Sequence, residues 1–477
     1  LLAALFKGLA YPMAHGGMVA PWNLETWVMG LNQALFFVAA FLLFHLALRL
    51  FDSSVAWLAT GLFIATDLLW RLSVSGISTM LLLVLFLLIL GRLACLDELE
   101  REQPQSGGIG SSLILGLLIG VGGLTRYSFA WLAIPAALYL VLRPVPGRFK
   151  RGLVMLLAFA AVMTPWMVRN YSLTHNVFGV AGYAIFQGTY PFPAGALDRS
   201  LDLTNGLARM DSMDYVDKLL TNTRTILTDE LPKLGGNWIT AFFLVGLLAP
   251  FRKPILSRLQ YFGIASLLLL IAVEALGRTA LSTEVPEINS ENLLILIAPL
   301  AFIFGSALFF TLLEPLDLYG PAVRSMMIWA FFLVLCVPFA LVFLVRPTLS
   351  DPAYDARYIM RIVNWVEPDD LMMSDIPSAV AWYGGQKCVG LPLNHRDAFD
   401  HINKIKAVKA LYLTPRTTDK NMAQNARNPN SWERFALDCW ARGEVPEGFP
   451  LTKSPTGLLP ERLFLSVSDH WSRQKAK

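Results

Sequence analysis

Apolar residues come along this chain in long, nearly unbroken runs, and the charged residues are confined to the stretches between them. The runs fall near 30–50, 55–73, 79–97, 111–124, 127–143, 150–167, 237–251, 260–277, 290–312 and 324–345. A helix needs roughly 17–25 apolar residues to cross a hydrocarbon core of about 30 Å. On that scale the pattern predicts about ten spans, some of them short. After residue 347 the period changes. There "DLMMSD", "KCVGLP", "ALYLT" and "ERLFLSV" read as strands, while "SAVAWYGG", "DAFDHINKI" and "NSWERFALDCWARG" read as helices, the last stopped by Gly443. Alternating strands and helices predict a small α/β layer, long enough to bury a core of its own.

Composition agrees with the pattern. Of 477 residues, 55% are hydrophobic and 16% charged, against about 45–50% and 25% in soluble domains. Mean hydropathy is +0.52. The fold class expected is a polytopic α-helical membrane protein with a C-terminal extracytoplasmic α/β domain. The net charge of +4 does not imply nucleic acid, because the excess lies in short loops and no nucleic-acid-binding motif is present.

Those loops orient the chain. "RPVPGRFKR" carries Arg143, Arg148, Lys150 and Arg151 without an acid, and "FRKPILSR" carries Arg252, Lys253 and Arg258 without one. Counting spans puts both on the same face, which the positive-inside rule makes cytoplasmic. The expected organisation is an extracytoplasmic or interfacial segment 1–29, spans over 30–168, a long extracytoplasmic loop 169–236, spans over 237–346, and an extracytoplasmic domain 347–477. The opening "LLAALFKGLAYPMAHGG" has no initiator methionine, is too short to span and lacks a clear cleavage site, so it reads as the interior of a longer protein, with a mature N-terminus as the other reading.

Within this frame the polar residues at span ends draw attention. "GGLTRYSFAWLAIP" sets Arg126 and Tyr127 between two apolar runs, at an outer hairpin tip. A guanidinium so close to lipid is costly, and either touches water there or holds something anionic. "TPWMVRNYSLTHNVFG" ends a span in Pro165 and Trp166, an interfacial anchor, and runs into Arg169, Asn170 and Tyr171. Arg169 taken alone is a solvated flank. Two arginines at neighbouring span ends suit a phosphate, since the guanidinium fork matches its oxygens and stays charged. The Gly/Pro-rich loop "GYAIFQGTYPFPAGALDRSLD" offers Tyr183, Tyr190 and Phe192, either to stack on a sugar or to pack on the outer domain.

Other polar residues have structural readings. Asp67 with Arg71, and Glu274 with Arg278, are four apart and suited to pair along one helix face. Glu291 and Asn292 begin a run and read as a cap. The glycines of "GLLIGVGG" read as close helix packing. Cys388 and Cys439 share the C-terminal domain, where an oxidising compartment would permit a disulfide; two separate thiols are the other reading. The histidines form no short-spaced ligand pair, and phosphate-loop and Gly-x-Ser-x-Gly patterns are missing.

The order "GLTRY", then "TPWMVRNY", a long loop, further spans and a closing α/β domain with "SDIPSAVAWYGGQKCVGLP" resembles the GT-C superfamily of membrane glycosyltransferases. It is most similar there to the aminoarabinose-transferase-like and protein-mannosyltransferase-like bacterial enzymes. The resemblance implies transfer of a sugar from a polyprenyl-phosphate carrier to an acceptor glycan, lipid or protein, on the extracytoplasmic face of the bacterial inner membrane. It also implies that cationic side chains hold the lipid phosphate, with Arg126 and Arg169 the matching candidates here, and Tyr127, Asn170, Tyr171, Tyr183 and Tyr190 beside them. The lipid-linked sugar is the donor, and the resemblance leaves a divalent metal open.

This sequence departs from the superfamily pattern at three places. The superfamily carries its catalytic acid in a first outer loop, which would lie upstream of Leu1; Glu25 alone precedes the first run, and the role is not assigned to it. Relatives have a Glu where "SGIST" has Thr79, and an Arg-Tyr where "SENLL" has Glu291 and Asn292. A non-catalytic subunit of a larger membrane complex, built on the same fold, is therefore the alternative. A transporter would show paired broken helices in repeated halves, and no such symmetry is present.

Overall fold

The computed structural model describes residues 22–102, 108–192, 199, 210–235, 238–251, 253–284, 288–314, 320–344, 355–418, 426–442, 445–455, 458 and 461–471. They divide into two compact units, Leu1–Tyr190 with Asp211–Pro347, and Pro191–Met210 with Thr348–Lys477.

The first unit is helical. Its elements are α1 (Trp22–Leu50), α2 (Ser53–Ile64), α3 (Asp67–Val74), α4 (Thr79–Glu102), α5 (Ile109–Thr125), α6 (Ala133–Val141), α7 (Arg148–Thr174), α8 (Ser212–Thr225), α9 (Trp238–Gly246), α10 (Pro254–Gly277), α11 (Ala280–Glu284), α12 (Ala298–Leu313) and α13 (Pro321–Leu344). Six helices among the described residues are long and apolar enough to cross a membrane, and the bent pair α2–α3 makes a seventh. The expected count of about ten is thus not reached on length. The runs 111–124 and 127–143 fold as shorter apolar helices, α5 and the Tyr127–Val141 segment, and the run 237–251 holds only the nine residues of α9.

Small residues let these helices approach. A Cβ on Gly116 would collide with the Met155 carbonyl oxygen, and one on Gly120 would lie 2.7 Å from the Val162 Cβ, so α5 and α7 meet backbone to backbone as the glycine pattern predicts. Aromatic rings fill the wider gaps. Phe36 stacks on Phe63 with centroids 5.5 Å apart, Phe63 meets Phe302 edge-on at 5.7 Å, and Phe309 stacks on Phe331 at 3.9 Å. At one end, Lys253 Nζ donates to the Leu50 carbonyl at 2.9 Å, which brings the start of α10 against the turn between α1 and α2. The opposite end carries the residues of interest below.

The second unit is a four-stranded sheet with helices on both faces. Its elements are α14 (Ala356–Val363), β1 (Leu371–Ser374), α15 (Pro377–Gly384), β2 (Cys388–Gly390), α16 (Asp397–Ile405), β3 (Val408–Leu413), α17 (Trp432–Arg442) and β4 (Leu463–Ser466). The strand order is β2-β1-β3-β4; β1 runs parallel to β2 and β3, and β4 runs antiparallel to β3. Each segment read from the tail as strand or helix forms that element. Residues 371–374 and 463–466 are buried throughout, as expected of strands covered on both faces.

Alternate residues supply two cores. Met373, Leu411 and Leu465 pack with Phe399, Trp432 and Phe435 on one side, while Met372, Ala410, Tyr412 and Phe464 pack with Ile359, Ile362 and Val380 on the other. This separation corrects the disulfide expectation. Cys388 joins the second core and Cys439 the first, so the sheet lies between them, and both thiols are free.

Candidate functional site

Arg126 stands where α5 stops. Its N–H still closes the helix on the Gly122 carbonyl at 2.8 Å, but its own backbone is extended, at φ −153° and ψ 118°, and a 3-10 turn follows over Tyr127–Leu132. The turn throws the two neighbouring side chains apart. Arg126 reaches toward the start of α4, where its Nη2 donates to the hydroxyls of Ser78 and Thr79, both at 3.3 Å. Tyr127 turns toward α7, where its hydroxyl accepts from Trp166 Nε1 at 2.6 Å and from Asn170 Nδ2 at 2.8 Å.

A largely buried ionic cluster surrounds the arginine, which is itself half-buried. Glu274 on α10 and Glu291 both attract Arg126. Glu291 accepts from the Thr279 N–H at 3.0 Å and from the hydroxyls of Thr279 and Ser282. Glu291 thus ties α11 to the loop before α12, and the capping expected of it falls to Asn289 and Asn292. Asn289 Oδ1 accepts from the N–H groups of Glu291 at 2.8 Å and Asn292 at 2.9 Å, and Asn292 Oδ1 accepts from Ile295 N at 3.4 Å. Glu274 accepts from Leu293 N at 2.9 Å and lies against the Glu230 carboxyl. Arg278 pairs with Glu230, across the unit, and not with Glu274 one turn before it as the spacing predicts.

A third cation comes from the long loop. Lys218 on α8 is 5% exposed, and its Nζ donates to the carbonyls of Ala184 at 2.8 Å and Ile185 at 3.3 Å. It therefore fastens the 3-10 segment Gly179–Ile185. Burial pushes the Lys218 amine down to about 8, against the attraction of Glu291.

The other expected residues form a second, more open group. The Arg169 guanidinium stacks over the Trp166 ring at 4.8 Å. Asn170 is buried and also donates to the Val177 carbonyl at 3.3 Å, and Tyr127 meets Phe178 edge-on at 5.7 Å. Tyr171 and Tyr190 are exposed, while the Tyr183 ring lies tilted beside Phe186 with centroids 6.5 Å apart. Arg126 thus faces Ser78, Thr79 and the carboxylates, and Arg169 faces Trp166. Sequence reasoning missed Lys218, Glu230, Thr279 and Ser282 altogether. Among the described residues no three His, Cys, Asp or Glu side chains converge on a metal position.

Chemically, the cluster offers three cations and three carboxylates, four of them buried and Arg126 and Glu291 half-buried, next to a loop of aromatic residues. Fixed charges in such surroundings act more strongly than in solution.

No protein-family profile matches the sequence, and no curated protein matches it either. Solved structures do match. The oligosaccharyltransferase AglB of Archaeoglobus fulgidus, in complex with an inhibitory peptide and a dolichol-phosphate, is similar over 98% of this chain, with TM-score 0.56 and 12% identity. The same protein tethered to an acceptor peptide containing the NVT sequon is similar over 99%, again with TM-score 0.56 and 12% identity. ArnT of Cupriavidus metallidurans bound to undecaprenyl phosphate is similar over 98% of this chain and 87% of its own, with TM-score 0.53 and 12% identity. The chain spans 66% of the length of the two AglB structures. The chain therefore shares the fold of AglB and ArnT, the kind of fold that the order of its motifs implied.

Proposed function

We propose that this protein is a membrane glycosyltransferase that moves a sugar from a polyprenyl-phosphate carrier to an acceptor on the extracytoplasmic face. The observation that carries this reading is the fold: nearly the whole chain superposes on proteins solved with dolichol-phosphate or undecaprenyl phosphate. The charge cluster supports it. Arg126 sits at a helix end, outside the apolar runs, between hydroxyls and carboxylates, and a departing lipid phosphate needs positive charge that is already in place.

In this reading Arg126 meets the carrier phosphate, and Glu291 and Glu274 keep its guanidinium aimed. Tyr127, Trp166 and Asn170 hold the neighbouring turn, and Arg169, stacked on Trp166, lies at the rim. Tyr171, Tyr183 and Tyr190 present rings to the sugar or acceptor. None of the described residues is assigned as the acid that activates the acceptor.

A second reading is favoured by one observation. Thr79, where relatives carry an acid, donates no charge and is held by Arg126. That suits a non-catalytic subunit on the same fold. The test is reconstitution of the full-length protein in liposomes with a polyprenyl-phosphate-linked sugar and membrane extract as acceptor. Release of the polyprenyl phosphate coupled to glycosylation of the extract supports the transferase. Carrier binding without release, together with stable co-purification of other membrane subunits, supports the second reading.

A further inference from the structure

The Tyr127 hydroxyl takes two hydrogen bonds and, among the described residues, gives none. Trp166 Nε1 donates to it at 2.6 Å and Asn170 Nδ2 at 2.8 Å. Neither contact runs the other way. An indole nitrogen only donates. The Val177 carbonyl, 3.3 Å from the same Nδ2, sets the Asn170 amide, because a turned amide would press oxygen against oxygen. The phenol ring is held as well, edge-on to Phe178 with centroids 5.7 Å apart. With its lone pairs engaged and its ring fixed, the Tyr127 oxygen directs its proton away from both Trp166 and Asn170.

The donors behind that proton stand in line. The Arg169 guanidinium lies over the Trp166 ring at 4.8 Å. A cation on the face of an indole draws electron density from its edge, where the N–H is, and strengthens the bond to Tyr127. A hydroxyl that accepts strong hydrogen bonds becomes a stronger donor in turn. Guanidinium, indole N–H and phenol O–H therefore form a row of aligned dipoles whose positive end is the Tyr127 proton. Asn170, which is buried, adds a dipole of the same sense. Such a row suits an oxygen that carries negative charge. Tyr127 is half-buried, so water takes the proton while the site is open, and an anionic oxygen that arrives finds the donor already aimed.

We infer that Tyr127 donates to a phosphoryl oxygen of a lipid, and that Arg169, Trp166 and Asn170 are positioning residues that act on that oxygen through the Tyr127 hydroxyl. This role rests on the transfer reading and adds to it a second donor. Arg126 is aimed from the α4 side of the hairpin tip, and Tyr127 from the α7 side. Two lipids carry the chemistry: the polyprenyl phosphate carrier and an anionic phospholipid at the same interface.

Fluorine beside a phenol hydroxyl makes it a stronger donor and a weaker acceptor, so the two roles of Tyr127 respond with opposite signs. The experiment compares full-length wild type, Tyr127→3-fluorotyrosine and Tyr127→Phe in nanodiscs, at a mildly acidic pH that keeps the fluorinated phenol protonated. Melting temperature is measured, with affinity for undecaprenyl phosphate and for phosphatidylglycerol. Tyr127→3-fluorotyrosine should melt lower than wild type, because Trp166 and Asn170 lose part of their acceptor, and yet bind undecaprenyl phosphate more tightly. Tyr127→Phe should lose about tenfold or more in that affinity, the usual worth of a hydrogen bond to a charged group. Arg169→Gln should weaken binding in the wild-type background and change nothing on Tyr127→Phe.

A response confined to undecaprenyl phosphate assigns the donor to the carrier, and an equal response with phosphatidylglycerol assigns it to bulk anionic lipid; either supports the donor. Affinity unchanged or lowered by fluorine overturns it and leaves the hydroxyl a staple of the hairpin, whether or not Tyr127→Phe folds. An Arg169→Gln effect that persists on Tyr127→Phe overturns the action through the hydroxyl. Wild type that binds neither lipid sinks the transfer reading and the donor with it, whereas wild-type binding that fluorine does not strengthen sinks the donor alone.

Discussion

Arg278 directs its guanidinium to Glu230, 48 residues away in sequence, although Glu274 stands one turn behind it on the same helix. The pairing joins α10 to the π-turn Ile226–Glu230, and both residues are less than a tenth exposed. It leaves Glu274 to accept the Leu293 N–H and to face Arg126. A local ion pair would have fixed only one helix; this one fixes the long loop against the span.

Breaking that pair from one side strands a buried charge, which typically costs about 3–5 kcal/mol. Arg278→Ala or Glu230→Ala should lower the melting temperature of the detergent-purified protein strongly, whereas the double variant Glu230→Leu with Arg278→Met should recover most of the loss. Equal melting of single and double variants would mean that the pair is not what stabilises this contact.

Arg126→Ala should lower sugar transfer by about 100- to 1000-fold, the usual loss when one preorganised donor is removed, and should weaken carrier binding. Arg126→Lys should keep part of both, since it preserves the charge without the fork. Transfer assays in liposomes at saturating carrier separate the two effects. Normal transfer by the alanine variant would make Arg126 an interfacial anchor.

Lys218 gives a pH dependence whose sign is fixed by its burial. Its amine is held down at about 8 in the folded chain, from an ordinary value of 10.5. Between those values the unfolded chain binds a proton that the folded chain has released, so this group's contribution to stability rises with pH across that window. Below about 8 the burial cost of the charged amine is fully present. Melting temperatures of wild type and Lys218→Met, measured from pH 7 to pH 10.5, should diverge upward in favour of wild type. Parallel curves would show that the amine titrates normally.

The period of the sequence made the long helices and seven of the eight elements of the sheet domain legible, all but α14, because 3.6- and 2-residue repeats are local properties. Arg126 and Tyr127 were legible for the same kind of reason, as polar residues between two apolar runs. What could not be read was which distant side chains answer them. Nothing in the neighbourhood of Lys218 or Glu230 marks them as buried, and only the packing of the long loop onto α10 brings them to Glu291 and Arg278.

The glycine contacts predict a graded packing defect. At Gly116 an added methyl has no room beside the Met155 carbonyl, so Gly116→Ala must move α5 or α7. Overpacking of this kind typically costs about 1–3 kcal/mol. At Gly91 nothing lies within 4 Å, so Gly91→Ala should be neutral or slightly stabilising, and it serves as the control. Equal melting temperatures for the two variants would place the α5–α7 contact elsewhere.

The cysteines offer a test of sheet topology. Burial pushes both the Cys388 and Cys439 thiols up to about 12, so little thiolate is present at pH 8 and alkylation should be slow until the domain unfolds. Iodoacetamide labelling followed by peptide mass spectrometry should find both thiols unmodified in the native protein and both modified in urea, with identical non-reducing and reducing gels. The Cys388→Ser and Cys439→Ser variants should each disturb a different face, and their destabilisations should add, because the two cores lie on opposite sides of the strands. A linked peptide recovered from the native protein would require the two residues to share a face, and with it another facing of β2 or another placement of α17.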